Sequence, residues 1–282
     1  MKPLKVLALC GLLVVVLVQG ASAGAEPTFR YPNLVPLPPE GFAVPGTTFY
    51  FGGPTDAPVV LDGCLLDEKV RRNPGRCLRF DTRVANLGEG AFEVIYRAET
   101  SGETTAYQRI YTEDGTSEES LATDSEFHPT HAHFHIDDFY VARLWASRPD
   151  GRPKGIEPLA ASSKNGFCPE DSETISGEED EPEHYNCVYP PRWDFEQSLP
   201  GTVVGISAGW MDTYSANLPD QYIDIAGLGD DSYVLQMVID PNDVFQESDE
   251  TDNTVCTSFT LGGDEAVIQG TVPCGRRRAL PT

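Results

Sequence analysis

The sequence predicts an all-β protein, a single β-sandwich-like domain with long loops and few short helices. Three observations lead there. Several stretches, among them Leu78–Val84, alternate apolar and polar residues at the period of two that a half-buried strand requires. Gly, Pro, Asn and Asp punctuate the chain at short intervals, as strand-to-strand turns do. Outside the amino-terminal apolar segment, no stretch shows the 3.6-residue periodicity of an amphipathic helix.

Taken in order, residues 1–23 read as a signal peptide. Lys2 and Lys5 precede an apolar run from Val6 to Val18, and Ala21-Ser22-Ala23 supplies the small residues of a cleavage site near Ala23. Cys10 lies within that run, behind Leu9, and leaves with it. No other stretch is apolar for long enough to span a bilayer, so the mature chain is expected to be secreted with no stable membrane span. Residues 24–56 form a Pro/Gly-rich edge segment in which Tyr31–Pro36 is a strap. Residues 57–275 are the domain proper, and 276–282 a basic tail built on Arg276-Arg277-Arg278.

Within the domain, Leu78–Val84 and Ala91–Tyr96 are predicted strands joined by the turn Asn86-Leu87-Gly88-Glu89-Gly90. Tyr107–Tyr111, Thr202–Ser207, Tyr222–Ile225, Tyr233–Ile239 and Thr254–Leu261 follow as further strands. Residues 170–183 read as an acidic loop.

Apart from Cys10, six cysteines remain: Cys64, Cys77, Cys168, Cys187, Cys256 and Cys274. An even number in an exported chain points to disulfides, although roughly fifteen pairings are possible in principle. They fall in three local couples, which predicts Cys64–Cys77, Cys168–Cys187 and Cys256–Cys274. The net charge of −24, with 44 acidic against 20 basic residues, excludes nucleic acid as a partner. It favours cationic ligands in encounter, without defining a function.

The chemistry is concentrated in Phe127–His135, which holds four of the five histidines, the fifth being His184. Alternate residues of a strand share a face, so His131, His133 and His135 point one way and Ala132, Phe134 and Ile136 the other. Three imidazoles on one face form a metal site suited to copper, zinc, iron or nickel. A solvated histidine-rich face is the bland alternative.

Read together with three later stretches, this strand resembles the lysyl oxidase family of copper amine oxidases. The family's His-x-His-x-His copper strand is matched by His131-Ala132-His133-Phe134-His135. Its lysine four residues before a cysteine is matched in Lys164-Asn165-Gly166-Phe167-Cys168-Pro169-Glu170-Asp171, and its Gly-x-x-Asp-x-Tyr in Gly209-Trp210-Met211-Asp212-Thr213-Tyr214. Pro241-Asn242 and Glu247-Ser248-Asp249-Glu250-Thr251-Asp252-Asn253 match its last motif.

The resemblance implies copper(II) at His131, His133 and His135. It also implies an organic cofactor, lysine tyrosylquinone, made by cross-linking Lys164 to Tyr214. That chemistry needs a lysine held beside the ring and partly desolvated, so that its neutral amine can add to an oxidised tyrosine. The Cys168–Cys187 disulfide would fix the segment that carries Lys164.

Relatives bind calcium at the acidic run, which implies Glu247, Asp249, Asp252 and Asn253 as ligands, with Asn33 contributing from the edge segment. A polar turn is the alternative there. The implied activity is that of a secreted, protein-lysine 6-oxidase-like amine oxidase. It would convert primary amines (peptidyl lysine, small amines or polyamines) to aldehydes with O₂ as acceptor, releasing ammonia and hydrogen peroxide.

The chain departs from the family pattern in two places. Thr130 stands where members often carry a cysteine, and Tyr140-Val141-Ala142-Arg143 runs where a histidine is usual. Asp137, Asp138, Asp212 and His128 are therefore the candidate bases by their proximity in sequence. The amino-terminal extensions of many animal members are missing, so a minimal catalytic domain of bacterial style is expected. Two other classes of function compete: a non-enzymatic β-sandwich adhesion or cell-surface module, and a copper-binding protein without the quinone.

Overall fold

The computed structural model describes residues 27–44, 48–49, 59–60, 64, 76–98, 104–128, 133–162, 164, 166–177, 184–187, 202–218 and 220–275. The signal-peptide and basic-tail readings, and most of the loop closed by Cys64 and Cys77, lie outside those residues. Every regular element among the described residues is a strand, so the short helices expected from sequence are not found there. The local reason is the one that predicted strands: turn residues interrupt the chain before an apolar stripe of helical period can develop.

Two six-stranded antiparallel sheets carry most of the strand residues. The first orders the strands His133–Ile136, Ser117–His128, Thr104–Thr112, Phe92–Ala98 and Val203–Ile206, with Phe29–Arg30 added beside Thr104–Thr112. The second runs Pro153–Lys154, Tyr140–Ser147, Asp231–Ile239, Thr254–Gly262 and Glu265–Thr271, with Ala160–Ala161 also on Tyr140–Ser147. Phe92, Val94 and Tyr96 of the first sheet share one apolar core with Tyr140, Leu144 and Leu235 of the second. Aromatic rings knit it: Phe92 lies 5.6 Å from Phe139 and 5.0 Å from Phe245, centroid to centroid.

Three smaller sheets complete the described scaffold, one of them only the pair Thr48–Phe49 and Val59–Val60. Of the remaining two, one pairs Glu173–Thr174, Trp210–Tyr214, Thr82–Asn86 and Leu34–Leu37 in that order, and it brings the tyrosine strand to the core. The other pairs Tyr222–Asp224, Cys77–Phe80 and Phe42–Ala43. The predicted strand Leu78–Val84 is thus two strands in two sheets, separated at Asp81. The buried Asp81 carboxylate accepts the Glu40 backbone N–H at 3.0 Å, and this contact from a distant segment turns the chain.

The edge strap packs against the turn after Thr82–Asn86. A Cβ at Gly88 would lie 2.4 Å from the Tyr31 carbonyl oxygen, and one at Gly90 2.0 Å from that of Arg30. Only glycine permits that approach. Asn86 closes the same corner, accepting from Asn33 N–H and donating to the Gly90 and Ile206 carbonyls.

The disulfides are Cys64–Cys77, Cys168–Cys187 and Cys256–Cys274, the three local couples. No helix among the described residues is long and apolar enough to cross a membrane.

Candidate active site

The histidine strand, His133–Ile136, pairs antiparallel with the carboxy-terminal end of Ser117–His128. Glu126 is the Cα partner of His135, and His128 that of His133. The two strands form a hairpin whose connection, with His131, lies outside the described residues. The His135 side chain is buried, at 7% exposure. Tyr96, on the strand Phe92–Ala98 three places along the same sheet, also reaches this strand: its ring lies 5.2 Å from that of Phe134, and its hydroxyl donates to the Phe134 carbonyl at 3.3 Å.

The segment carrying Lys164 crosses directly against this strand. Ile136 N–H donates to the Phe167 carbonyl at 2.8 Å, and Phe167 N–H returns the bond to Ile136 at 3.3 Å. Gly166 sits so close that a Cβ there would meet His135 Cβ at 3.0 Å and Nδ1 at 3.4 Å. A glycine is what lets the segment lie on the imidazole.

Beyond it, Cys168 anchors the segment twice. Its sulfur is bonded to Cys187, and its backbone engages the Tyr214 hydroxyl, which accepts from Cys168 N–H at 3.0 Å and donates to the Cys168 carbonyl at 2.8 Å. Asp171 then fastens the loop, accepting from Ser207 N–H, Ser207 Oγ, His184 N–H and Tyr185 N–H at 2.7 to 3.2 Å.

These constraints bring Lys164 and Tyr214, fifty residues apart, onto each other. Lys164 Nζ stands 4.4 Å from the centroid of the Tyr214 ring and 5.2 Å from that of Phe167. The Phe167 and Tyr214 rings are themselves 4.4 Å apart. Tyr214 is 9% exposed and Lys164 half-buried. A lysine pinned over a phenol beside a buried imidazole is an arrangement that packing alone does not call for.

Asp212 precedes Tyr214 by two residues on the strand Trp210–Tyr214, so both point inward from one face. Its carboxyl is 1% exposed and accepts from Ser172 Oγ at 3.1 Å through Oδ1, while Oδ2 has no hydrogen-bond partner. Burial, joined by the nearby Glu170 charge, holds its pKa well above the usual carboxylate range, against the pull of Ser172, the Glu170 N–H and the Lys164 ammonium.

The model of the family described as lysyl oxidase matches residues 116–271, more than half of the chain and the part that holds the histidine strand, Lys164 and Tyr214. The chain belongs to the lysyl oxidase family. It is 27% identical to zebrafish (Danio rerio) lysyl oxidase homolog 2B over 243 residues, covering 83% of this chain and 25% of that one. It is 28% identical to human protein-lysine 6-oxidase over 146 residues, 51% of this chain and 30% of the human one. Human lysyl oxidase homolog 3 is 31% identical over 129 residues, 46% of this chain and 14% of the relative. The chain therefore spans less than a third of the length of these three relatives.

Among the residues that resemblance to the lysyl oxidase family singled out, the structure gathers Lys164, Tyr214 and His135 in one place. His133 lies on the same short strand, and His131 is outside the described residues. Of the candidate bases, Asp212 alone has a described place beside Lys164 and Tyr214. Asp138 occupies a turn with φ 55° and accepts from Asn242 Nδ2 at 3.2 Å, and Asp137 lies near the Tyr96 hydroxyl.

The acidic run is drawn together with the edge strap. Asn33 Nδ2 donates to Asp252 Oδ2 at 3.1 Å, Asn253 Nδ2 to Glu247 Oε1 at 2.7 Å, and Leu34 N–H to Glu247 Oε2. Three oxygens here, Asn33 Oδ1, Asp252 Oδ1 and Asn253 Oδ1, are buried without a hydrogen-bond partner. Unpaired buried oxygens in a cluster suit a hard cation.

Asp249 stands apart from that cluster. It is exposed and accepts from Thr251 N–H and Oγ1 at 2.8 and 2.6 Å. Asp240 and Glu250 come in instead, each with a carboxylate oxygen within 4.8 Å of one on Glu247. Burial pushes the Glu247 carboxyl up to about 8.

Sequence reasoning assigned no role to Gly166 or Asp171, though both stand inside the quoted Lys164–Asp171 motif. Their work is to press the lysine segment onto the histidine strand and to hold it there.

Proposed function

We propose that the chain is a secreted copper-dependent amine oxidase whose organic cofactor is lysine tyrosylquinone, formed between Lys164 and Tyr214. The observation that carries the reading is the 4.4 Å separation of Lys164 Nζ from the Tyr214 ring, next to the buried His135. His131, His133 and His135 would hold copper(II), a donor set of three imidazoles that the metal accepts readily. Together, copper and the quinone would supply the electrophilic carbonyl for a primary amine and the route by which O₂ takes up its electrons.

The chain's own residues do the rest. Phe167 packs on the Tyr214 ring and is itself backed by Phe139 and Tyr140, an aromatic layer that keeps water from that side. The Tyr214 hydroxyl, bonded both ways to the Cys168 backbone, has its ring plane fixed. Disulfide and Asp171 anchors hold the Lys164 segment beside the Tyr214 ring, so that less entropy remains to be lost when the amine attacks. The strongly acidic surface biases encounter toward cationic amines such as lysyl side chains or polyamines. Calcium at Glu247, Asp252, Asn253 and Asn33 would staple the edge strap to the domain.

The test is peroxide release from a primary amine by the copper-loaded protein, compared with Lys164→Arg and Tyr214→Phe. Arginine keeps the charge but does not give up its proton to become a nucleophile. Both variants should fall to background while retaining copper. If Lys164→Arg releases peroxide as fast as the parent, the reading is wrong. A copper-binding protein without the quinone, or an adhesion module, would show no release in the parent.

A further inference from the structure

We propose that Asp212 is the proton acceptor of Lys164, the group that leaves its amine neutral and able to act as a nucleophile. The inference deepens the amine oxidase reading and rests on it. A lysine amine in water holds its proton to about pH 10.4, so a nucleophilic Lys164 needs somewhere close for that proton to go.

Asp212 is placed to receive it. It shares a strand face with Tyr214, over whose ring Lys164 Nζ stands. One of its oxygens, Oδ1, is held by Ser172 Oγ; the other, Oδ2, is buried and accepts no hydrogen bond of ordinary geometry, although the Glu170 N–H is near enough to favour the charged form. An unpaired buried carboxylate oxygen is costly and becomes less so on protonation. Ser172 itself is fixed by the adjoining strand pair, its N–H donating to the Met211 carbonyl and its Oγ accepting from Thr213 N–H.

The charges around the pair oppose one another. Glu170, from the lysine segment, makes a second carboxylate charge less welcome, and burial does so more strongly. Lys164 pulls the other way. On the adjoining strand the Cα partner of Asp212 is the apolar Val84, and from the histidine strand His135 sits against Gly166. A carboxyl whose charge is disfavoured by burial takes up a proton from a neighbouring amine more readily than an exposed one would.

In the step itself one N–H bond of the Lys164 ammonium breaks and one O–H bond forms on Asp212. Ammonium and carboxylate become amine and carboxylic acid. Nothing is oxidised or reduced, and no further reactant takes part.

The experiment uses the metal-free full chain. Competitive acetylation with acetic anhydride, read by peptide mass spectrometry, reports the neutral fraction of each lysine amine, with the exposed Lys154 as internal reference. While the pair holds one proton, the neutral share of Lys164 is set by the balance between the two partners and not by pH. Its reactivity should therefore change less than about twofold between roughly pH 6 and 8, where that of a free lysine amine in water climbs about tenfold per pH unit.

In Asp212→Asn the Lys164 profile should lose its plateau and acquire the slope of Lys154. The proposal is overturned if Lys164 of the parent already follows Lys154, or if the plateau survives in Asp212→Asn. Should the variant fail to fold, the parent profile alone decides. No copper or quinone is needed, so a chain that showed the plateau but never released peroxide would count against the amine oxidase reading and leave this one standing.

Discussion

Adding one methyl group at Gly166 should disturb the metal and the fold together. In Gly166→Ala the new Cβ would lie 3.0 Å from His135 Cβ, tighter than nearly all such contacts, and 3.4 Å from Nδ1, so one side must give by a few tenths of an ångström. Neither side yields easily. The Ile136–Phe167 bridge ties the two backbones at 2.8 and 3.3 Å, and Cys168 is bonded to Cys187 two residues on. Overpacking of this kind costs about 1–3 kcal/mol. For a domain of this size, at about 2–4 °C per kcal/mol, that lowers the melting temperature by roughly 2 to 12 °C.

Copper should suffer separately, because a displaced outer partner of a metal-binding histidine weakens affinity by about 10- to 100-fold. Gly227→Ala is the control, since nothing lies within 4 Å of a Cβ built there. Thermal melts of the metal-free chains and copper titration against a chelator give the two numbers. If Gly166→Ala matches Gly227→Ala in both, the contact between the lysine segment and His135 does not constrain the site as argued.

Other consequences follow from the anchors. Glu247 titrates at 4.5 in the unfolded chain and at about 8 in the folded one, so the folded state keeps its proton longer. The calcium-free protein should lose stability as pH rises from 4.5 through about 8 and level off above. Calcium should raise the melting temperature more at the upper end of that window than at the lower. In Glu247→Gln the calcium response should vanish; a parent with no calcium response at either end would remove the cation from the account.

Replacing Cys168 and Cys187 together by serine opens a loop with a sequence separation of 19 and should cost about 3 kcal/mol. It should also reduce the yield of Lys164–Tyr214 cross-link in the fraction that remains folded. Peptide mapping that found the cross-link at full yield would show that the disulfide does not position the lysine.

What the sequence made legible, and what it did not, divides along physical lines. Lys164 and Tyr214 stood out because their neighbours form short, ordered motifs. The strands Phe92–Ala98 and Asp231–Ile239 stood out because their apolar residues are dense. Leu78–Val84 misled as one strand: Cys77–Phe80 is buried throughout, so its pattern runs on without showing that the chain changes sheets at Asp81.

The twelve-residue strand Ser117–His128 gave little signal, since Ser-Glu-Glu-Ser is polar and only its backbone pairing with two neighbours makes it a strand. Asp249 read as a ligand from its place in an acidic run, yet its carboxylate closes a local turn on Thr251. Asp212 could be marked only as near Tyr214 in sequence; the partnerless Oδ2 that gives it a role depends on contacts from Ser172, forty residues away.

The central claim is that Lys164 and Tyr214 become one cofactor. Peptide mass spectrometry of the chain after copper loading in air tests it most directly. The account predicts a species in which the Lys164 peptide is covalently joined to the Tyr214 peptide, present in the parent and missing from Lys164→Arg. Full recovery of both peptides unjoined, from a parent that has demonstrably bound copper, would contradict it.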